Sequence, residues 1–137
     1  MTIQPYLHFN GNCEEAFTFY RDALGAEMDM QMRYRESPDP VPPECMPPGW
    51  EDKVMHSALR IGDTLLMGCD DGTGQSERFQ GFALSLTAAD AEMARKRFDA
   101  LAEGGSVLMP LGPTFFSPCF GMTRDRFGVS WMVLVEP

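Results

Sequence analysis

The sequence predicts an α+β protein in which two tandem βαβββ modules form a curved eight-stranded mixed sheet around a cleft. Three observations lead to this prediction. The order of strand-like and helix-like patterns in residues 1–70 recurs in residues 81–137, and the polar segment 71–80 is a linker between the copies. The length of 137 residues suits a single domain. A module of this kind has a helix on only one face of its sheet, so a second module is needed to shelter the other.

The first module begins with a strand, a helix and a second strand. Apolar and polar side chains alternate over residues 3–10, as in a half-buried strand. Asn12 followed by Glu15 predicts a helix start with a capping box, and Gly25 predicts the end of that helix. Alternation resumes over residues 27–35 and predicts the next strand.

A proline-rich loop and a hairpin complete the first module. Six prolines in the fourteen residues 37–50 indicate an irregular loop. Residues 54–61 and 64–70 are strand-like, and Gly62-Asp63 between them is typical of a two-residue hairpin turn. That turn pairs Ile61 with Thr64 and Ala58 with Met67.

The second module repeats the order of the first. A strand is expected over residues 81–87 and a helix over residues 89–103. Three further strands are expected near residues 106–109, 119–124 and 129–136.

Charge and composition exclude several classes of protein. Twenty Asp and Glu against eleven Lys and Arg give a formal net charge of −9, the wrong sign for binding nucleic acid or an acidic membrane. No apolar run approaches the ~20 residues of a membrane helix, and the start of the chain lacks the pattern of a signal peptide. We therefore expect a cytoplasmic protein that contacts neither nucleic acid nor membrane.

The sequence indicates no cofactor. The chain has only two histidines, and its four cysteines are scattered rather than clustered as zinc ligands are: Cys13, Cys45, Cys69 and Cys119. Glycine-rich fingerprints for nucleotide-type cofactors are missing from the strand-to-helix turns.

Four motifs, spread over the chain, point to a family. They are Pro5-Tyr6-Leu7 with Phe9-Asn10-Gly11-Asn12-Cys13-Glu14-Glu15-Ala16 and Phe19-Tyr20; Asp52-Lys53-Val54-Met55-His56; Gly112-Pro113-Thr114-Phe115; and Phe120-Gly121-Met122 with Asp125-Arg126-Phe127-Gly128-Val129-Ser130-Trp131. In combination they resemble the PhnB-like (3-demethylubiquinone methyltransferase-like) group of the vicinal oxygen chelate superfamily, which includes glyoxalases, bleomycin resistance proteins and dioxygenases. The resemblance implies a single glyoxalase-like domain over residues 1–137 and a homodimer.

The resemblance also implies where a metal would bind. In the superfamily's metal enzymes the ligands are typically His, Glu, His and Glu, and these positions fall on Pro5, Met67, Gly81 and Met132. Such residues offer no competent donor set for a divalent cation. The usual metal site is therefore predicted to be absent, although a non-standard set of His56, Cys69 and Asp70 stays open.

Strand alternation assigns side chains to the cleft. Because the resemblance turns Met67 toward the cleft, the hairpin register turns Ala58, Arg60, His56, Leu65 and Cys69 the same way. Counting from Pro5 assigns Leu7 and Phe9 to the cleft and turns His8 toward the helix, whereas Trp131 is expected in the core. The expected ligand-binding residues are Leu7, Phe9, Ala58, Arg60, Met67, Cys69, Ser85, Phe116 and Met132.

Two functions follow from this cleft. The first is metal-independent binding of a small molecule in an apolar cleft that carries a few polar groups. The alternative is an enzyme of the superfamily that uses His56 as general acid or base, with or without a non-standard metal. A nucleophilic Cys69 activated by His56 is a further, weaker interpretation.

Overall fold

The computed structural model describes residues 1–73 and 78–137 and divides the chain into two compact units, Met1–Glu77 and Arg78–Pro137. Residues 74–77 of the expected linker lie outside the described residues. Within the described residues, neither helix has the length and apolar character needed to cross a membrane.

Residues 1–73 of the first unit form one α-helix and a four-stranded mixed sheet. Its elements are β1 (Tyr6–Phe9), α1 (Cys13–Leu24), β2 (Glu27–Arg33), a 3-10 turn at Tyr34–Glu36, β3 (Val54–Ile61) and β4 (Thr64–Asp70). The strand order is β1-β4-β3-β2, in which β1 and β4 are parallel and the other neighbours antiparallel. The two hairpin strands have the bounds that the turn residues predicted.

The second unit repeats this architecture. Its elements are β5 (Leu84–Ala88), α2 (Ala91–Ala102), β6 (Ser106–Gly112), β7 (Cys119–Arg124) and β8 (Ser130–Val135). The strand order β5-β8-β7-β6, with β5 and β8 parallel, corresponds strand for strand to that of the first sheet. The predicted α+β class with two βαβββ modules is confirmed, and the eight strands form two four-stranded sheets.

The core of the first unit lies between α1 and one face of its sheet. Leu7 and Phe9 are each only 2% exposed, and the Phe9 ring packs edge-on against Phe17 of α1. A Cβ added to Gly68, the partner of Leu7 in the sheet, would come within 2.9 Å of the Phe17 ring. The face of the sheet that carries Leu7, Phe9 and Gly68 is therefore the face beneath α1.

The expectation that Leu7 and Phe9 face away from the helix is wrong for this reason. Parallel pairing with β4 sets Tyr6 beside Met67 and Leu7 beside Gly68, so the alternation along β1 is displaced by one residue from a count that starts at Pro5. The same displacement overturns the expectation that His8 faces the helix, because His8 pairs with Cys69.

Helix α1 starts at the predicted position but with a different cap. Asn12 occupies the N-cap position, yet within the described residues its side chain caps none of the helix's N–H groups, so the predicted capping box is wrong. The carboxylate of Asp70, at the end of β4, accepts hydrogen bonds from the N–H groups of Gly11 and Cys13, both at 2.9 Å. Gly25 ends the helix as predicted, with the left-handed φ of 61° that a residue without Cβ adopts easily.

In the second unit, α2 packs on its sheet around Phe98 and Trp131. Phe98 is 2% exposed and occupies the space above Gly121, where an added Cβ would lie 2.9 Å from its ring. The Trp131 indole N–H donates to the buried Asp125 carboxylate at 2.9 Å, which confirms Trp131 as a core residue. The first strand of this unit begins at Leu84 rather than at residue 81.

Candidate ligand-binding face

The candidate site lies on the face of the first sheet opposite α1. The hairpin register pairs Ile61 with Thr64 and Ala58 with Met67, as the two-residue turn predicted. Successive residues of a strand face opposite sides, so Met67, which precedes Gly68, faces away from α1. Residues paired across neighbouring strands share a face. The side chains on this face include those of Tyr6, His8, His56, Ala58, Arg60, Leu65, Met67 and Cys69, and those of Met30 and Met32, which pair with Ala58 and His56.

The structure pairs His56 with Tyr6. Nδ1 of His56 lies 3.2 Å from the Tyr6 hydroxyl, a hydrogen-bond distance between β3 and β1. The Tyr6 ring also lies close to both histidine rings, with ring centroids 5.7 Å from His56 and 5.1 Å from His8. Tyr6 was not predicted as a site residue, because counting the alternation of β1 from Pro5 placed its side chain on the helix side of the sheet.

Cys69 contacts His8 rather than His56. Its sulfur lies 3.6 Å from Nδ1 of His8, and the same nitrogen lies 3.7 Å from a carboxylate oxygen of Asp71. Cys69 is 8% exposed, and burial raises the pKa of its thiol. The thiol therefore stays protonated at neutral pH, which argues against the nucleophile interpretation.

Burial also raises the pKa of the Tyr6 phenol, and the adjacent Cys69 raises it further. The phenol thus keeps its proton over the range in which proteins work. The pKa of Asp71, in contrast, is lowered mainly by the backbone N–H of Thr73, which donates to its carboxylate at 2.9 Å. His8 and Cys69 thus have the neutral phenol of Tyr6 and the ionised carboxylate of Asp71 as neighbours.

The residues do not fit a divalent metal. Asp70 cannot join His56 and Cys69 as a ligand, because its carboxylate is 1% exposed and is held by the N–H groups of Gly11, Cys13 and Val54. Among the described residues, no group of three or more His, Cys, Asp or Glu side chains is arranged to hold a metal ion. Met67 and Met132, at positions where the superfamily places carboxylates, are soft donors unsuited to such an ion.

Arg60 extends the candidate face toward the turn of the hairpin. Its guanidinium lies 3.5 Å from the carboxylate of Asp29, and both side chains are about half exposed. An ion pair this accessible to water is weak, so Arg60 can exchange Asp29 for another anion at little cost.

Two of the predicted site residues of the second unit, Ser85 and Met132, lie on the face of its sheet opposite α2. Val133 pairs with Gly121, which lies beneath Phe98, so the adjacent pair of Ser85 and Met132 faces away from the helix. Phe116 lies outside the strands, where it packs edge-on against Phe120 with ring centroids 5.0 Å apart. Their ligand-binding roles stay predictions, as do those of the residues in the first unit.

The proline-rich segment borders a separate surface cavity. Its volume is about 360 Å³, and its lining residues are Tyr34, Arg35, Ser37, Pro38, Asp39, Pro40, Val41, Met46 and Glu51. None of the predicted site residues in the described chain contributes to this lining. The cavity and the face opposite α1 are therefore different surfaces.

The duplicated module and the motifs place this chain in a known family. A family model, the Glyoxalase/Bleomycin resistance protein/Dioxygenase superfamily, matches residues 2–133, and the chain belongs to that superfamily.

The chain is similar over nearly its whole length to a curated protein and to two solved structures, one of which is a PhnB protein. The chain is 33% identical to Protein YjdN of Escherichia coli K12 over 98% of this chain and 95% of that protein. It is 44% identical to protein PA1353 of Pseudomonas aeruginosa, with a TM-score of 0.87 over 99% of this chain and 98% of the other. The PhnB protein of Bacillus cereus is 31% identical, with a TM-score of 0.81 over 98% of this chain and 99% of the other.

Proposed function

We propose that this protein binds a small molecule on the face of the first sheet opposite α1, without a resident divalent metal ion. The observation that carries the proposal is the Tyr6–His56 hydrogen bond, which sets a polar pair among the apolar side chains of Ala58, Leu65 and Met67. Small-molecule sites combine a mostly apolar lining with a few fixed polar groups. Arg60 adds a cation at the edge of the same face.

A ligand screen followed by one substitution tests this proposal. Compounds that raise the melting temperature of the untagged protein would be titrated by calorimetry against the wild type and His56→Ala. We expect His56→Ala to weaken binding by about tenfold, the effect of one lost hydrogen bond between protein and ligand. Lys96→Ala, at an exposed position of α2, is the control and should bind as the wild type does.

Elemental analysis of the same preparation tests the absence of a metal. We expect metal well below one ion per chain, and no loss of ligand binding after dialysis against a chelator. A stoichiometric metal whose removal abolishes binding would contradict the proposal.

The Tyr6–His56 pair also supports a second candidate, an enzyme in which His56 transfers a proton. A hydroxyl that contacts Nδ1 orients the imidazole, and an oriented imidazole is a common general acid or base. The two candidates differ in the response to His56→Ala. An enzyme would lose turnover with its affinity for the compound kept, whereas a binding protein would lose affinity and show no turnover at all.

We also infer that two copies of this chain associate. Strand β6 lies at the edge of the second sheet, and its Val107, Leu108 and Met109 are 50%, 44% and 44% exposed. An apolar edge strand left in water invites pairing with another chain. Closed pairs related by a two-fold axis are the commonest way in which such a surface is covered.

A further inference from the structure

We propose that His8 and Cys69 form a binding site for a soft monovalent metal ion, copper(I), with the thioether of Met67 as a third ligand. This inference goes beyond the proposed function, which concerns a small molecule bound without a divalent metal ion. It starts from the contact between the Cys69 sulfur and Nδ1 of His8, which lie 3.6 Å apart on neighbouring strands.

The distance between the two donor atoms suits one shared ion. His8 of β1 and Cys69 of β4 are direct partners in the sheet, and their side chains meet on the face opposite α1. An ion with a filled d shell, as zinc shows, lies about 2.3 Å from a thiolate sulfur and about 2.0 Å from an imidazole nitrogen. When such bonds meet at angles from tetrahedral to trigonal, the donor atoms are about 3.5–3.7 Å apart. The observed 3.6 Å lies in this range, so one ion can reach both atoms with the strands in their present places.

The number and softness of the donors select the ion. Zinc at a structural site takes four protein ligands, and among the described residues no three His, Cys, Asp or Glu side chains are arranged to hold a metal. Copper(I) is softer, prefers thiolate and thioether sulfur, and forms stable linear and trigonal complexes. The pair of His8 and Cys69 therefore suits copper(I) and is too small for zinc.

Met67 supplies the third soft donor. It lies two residues before Cys69 on β4, so both side chains leave the same face of the strand. The strand rise separates the two residues by about 7 Å, and a methionine side chain is long and flexible enough to bring its sulfur to an ion beside Cys69.

The charge of the first unit favours a cation. All of the formal net charge of −9 lies in residues 1–77, which contain fourteen Asp and Glu against five Lys and Arg, whereas residues 78–137 contain six of each. One of these carboxylates, that of Asp71, has an oxygen 3.7 Å from Nδ1 of His8. The electrostatic field at the pair therefore attracts a positive ion.

Binding exchanges one cation for another. The Cys69 thiol releases its proton to water as its sulfur bonds to copper(I), and no electron is transferred. The product is a neutral copper–thiolate pair, which suits a residue that is only 8% exposed. The ion reaches the sulfur from the side of His8, whose side chain is 53% exposed. Protein prepared in air should lack the ion, because copper(I) oxidises to copper(II), which prefers nitrogen and oxygen donors in a square arrangement.

Anaerobic competition with a coloured copper(I) chelator, bicinchoninate, tests the site with the metal alone. With the copper kept reduced by ascorbate, we expect the wild type to withdraw one copper(I) ion per chain. Loss of even an indirect partner of a metal ligand costs about 10–100-fold in metal affinity, so Cys69→Ser and His8→Asn should each weaken binding by at least about tenfold. Met67→Leu keeps the bulk of the side chain but removes its sulfur, and should weaken binding by a smaller factor.

Cys119→Ser is the matched control, because Cys119 is a partly exposed free thiol on β7 of the second unit and its loss should leave the affinity unchanged. X-ray absorption at the copper edge should show sulfur and nitrogen ligands in the wild type, and the nitrogen should be lost in His8→Asn. This variant changes a side chain that is more than half exposed, so it tests the pair even if Cys69→Ser does not fold.

Equal copper affinities of His8→Asn and the wild type, or equal losses in Cys69→Ser and Cys119→Ser, would overturn the proposal. A Met67→Leu variant that binds as the wild type does would overturn the third ligand. The proposed function is decided separately, since its ligand titrations use protein without copper.

Discussion

Asp70 shows how one side chain can join distant parts of the first unit. Its carboxylate is 1% exposed and accepts from the N–H groups of Gly11 and Cys13 through one oxygen and of Val54 through the other. Two segments far apart in sequence, residues 11–13 and the start of β3, are thereby held at the end of β4. Sequence patterns near Asp70 gave no sign of this role, because two of its three partners are 57 and 59 positions away.

Asp70→Asn should therefore destabilise the protein by about 3 kcal/mol. An amide keeps one oxygen and turns an NH₂ group toward a backbone N–H, so one buried donor loses its acceptor. Urea unfolding gives the free energy of unfolding, and Asp22→Asn, at an exposed position of α1, is the control with a change below about 0.5 kcal/mol. A loss below about 1 kcal/mol in Asp70→Asn would contradict this account of the cap.

Gly68 is a second residue that packing requires, because its position has no room for a side chain. An added Cβ would lie 2.9 Å from the backbone oxygen of Leu7 and 2.9 Å from the Phe17 ring. Because a backbone oxygen cannot swing aside as the end of a side chain can, we expect Gly68→Ala to cost about 2 kcal/mol in unfolding free energy. At Gly112, also in a strand, an added Cβ meets nothing within 4 Å, so Gly112→Ala should be close to neutral. Equal stabilities of the two variants would contradict the close contact.

At the scale of whole elements, the hairpin was predictable and the face of β1 was not. Gly62-Asp63 fixes a two-residue turn, and turn length fixes which residues of β3 and β4 oppose each other. Strand β1 has no such local constraint, since its register is set by parallel pairing with β4, about sixty residues later. Side chains along a strand alternate with a period of two, so an error of one residue in β1 exchanges its two faces. Leu7 and Phe9 were therefore predicted to face the site, and Tyr6 and His8 to face the helix.

Helix α1 and strand β2 are also joined by an ion pair at the surface. Both terminal nitrogens of the Arg33 guanidinium donate to the Glu14 carboxylate, at 2.6 and 3.3 Å, and this hydrogen bonding lowers the pKa of Glu14. A carboxyl whose pKa is lower in the folded state stabilises it above the unfolded-state pKa of ~4.3 and loses that effect as the pH falls through the folded value.

Glu14→Gln should thus be less stable than the wild type at pH 7, by less than about 1 kcal/mol because the Glu14 side chain is 51% exposed. The difference should disappear in unfolding curves recorded at a pH below the folded pKa. Glu15→Gln, one position along α1, serves as the control. A difference that persisted at low pH would show that the effect does not come from the charge of Glu14.

At the scale of the whole chain, duplication was recognisable because it repeats patterns rather than residues. Both sheets have the same strand order, and in both a glycine on the sheet admits a phenylalanine ring of the helix. The glycines are not equivalent, since Gly68 lies on the last strand of its module and Gly121 on the strand before. The two modules therefore meet the same packing requirement from different positions in the sequence.

Association of two copies through β6 is the prediction that concerns the assembled molecule. Sedimentation equilibrium at micromolar concentration should give about twice the chain mass of 15.3 kDa. Leu108→Lys places a charge on the exposed apolar edge and should shift the protein toward the single-chain mass, because burying an unpaired ammonium in an interface is costly. Since Leu108 is 44% exposed, the substitution should leave the far-ultraviolet circular dichroism unchanged. Lys96→Glu, on the exposed side of α2, changes charge away from β6 and should keep the double mass. A wild-type protein that sediments as a single chain, or a Leu108→Lys variant that stays paired, would exclude β6 as the contact.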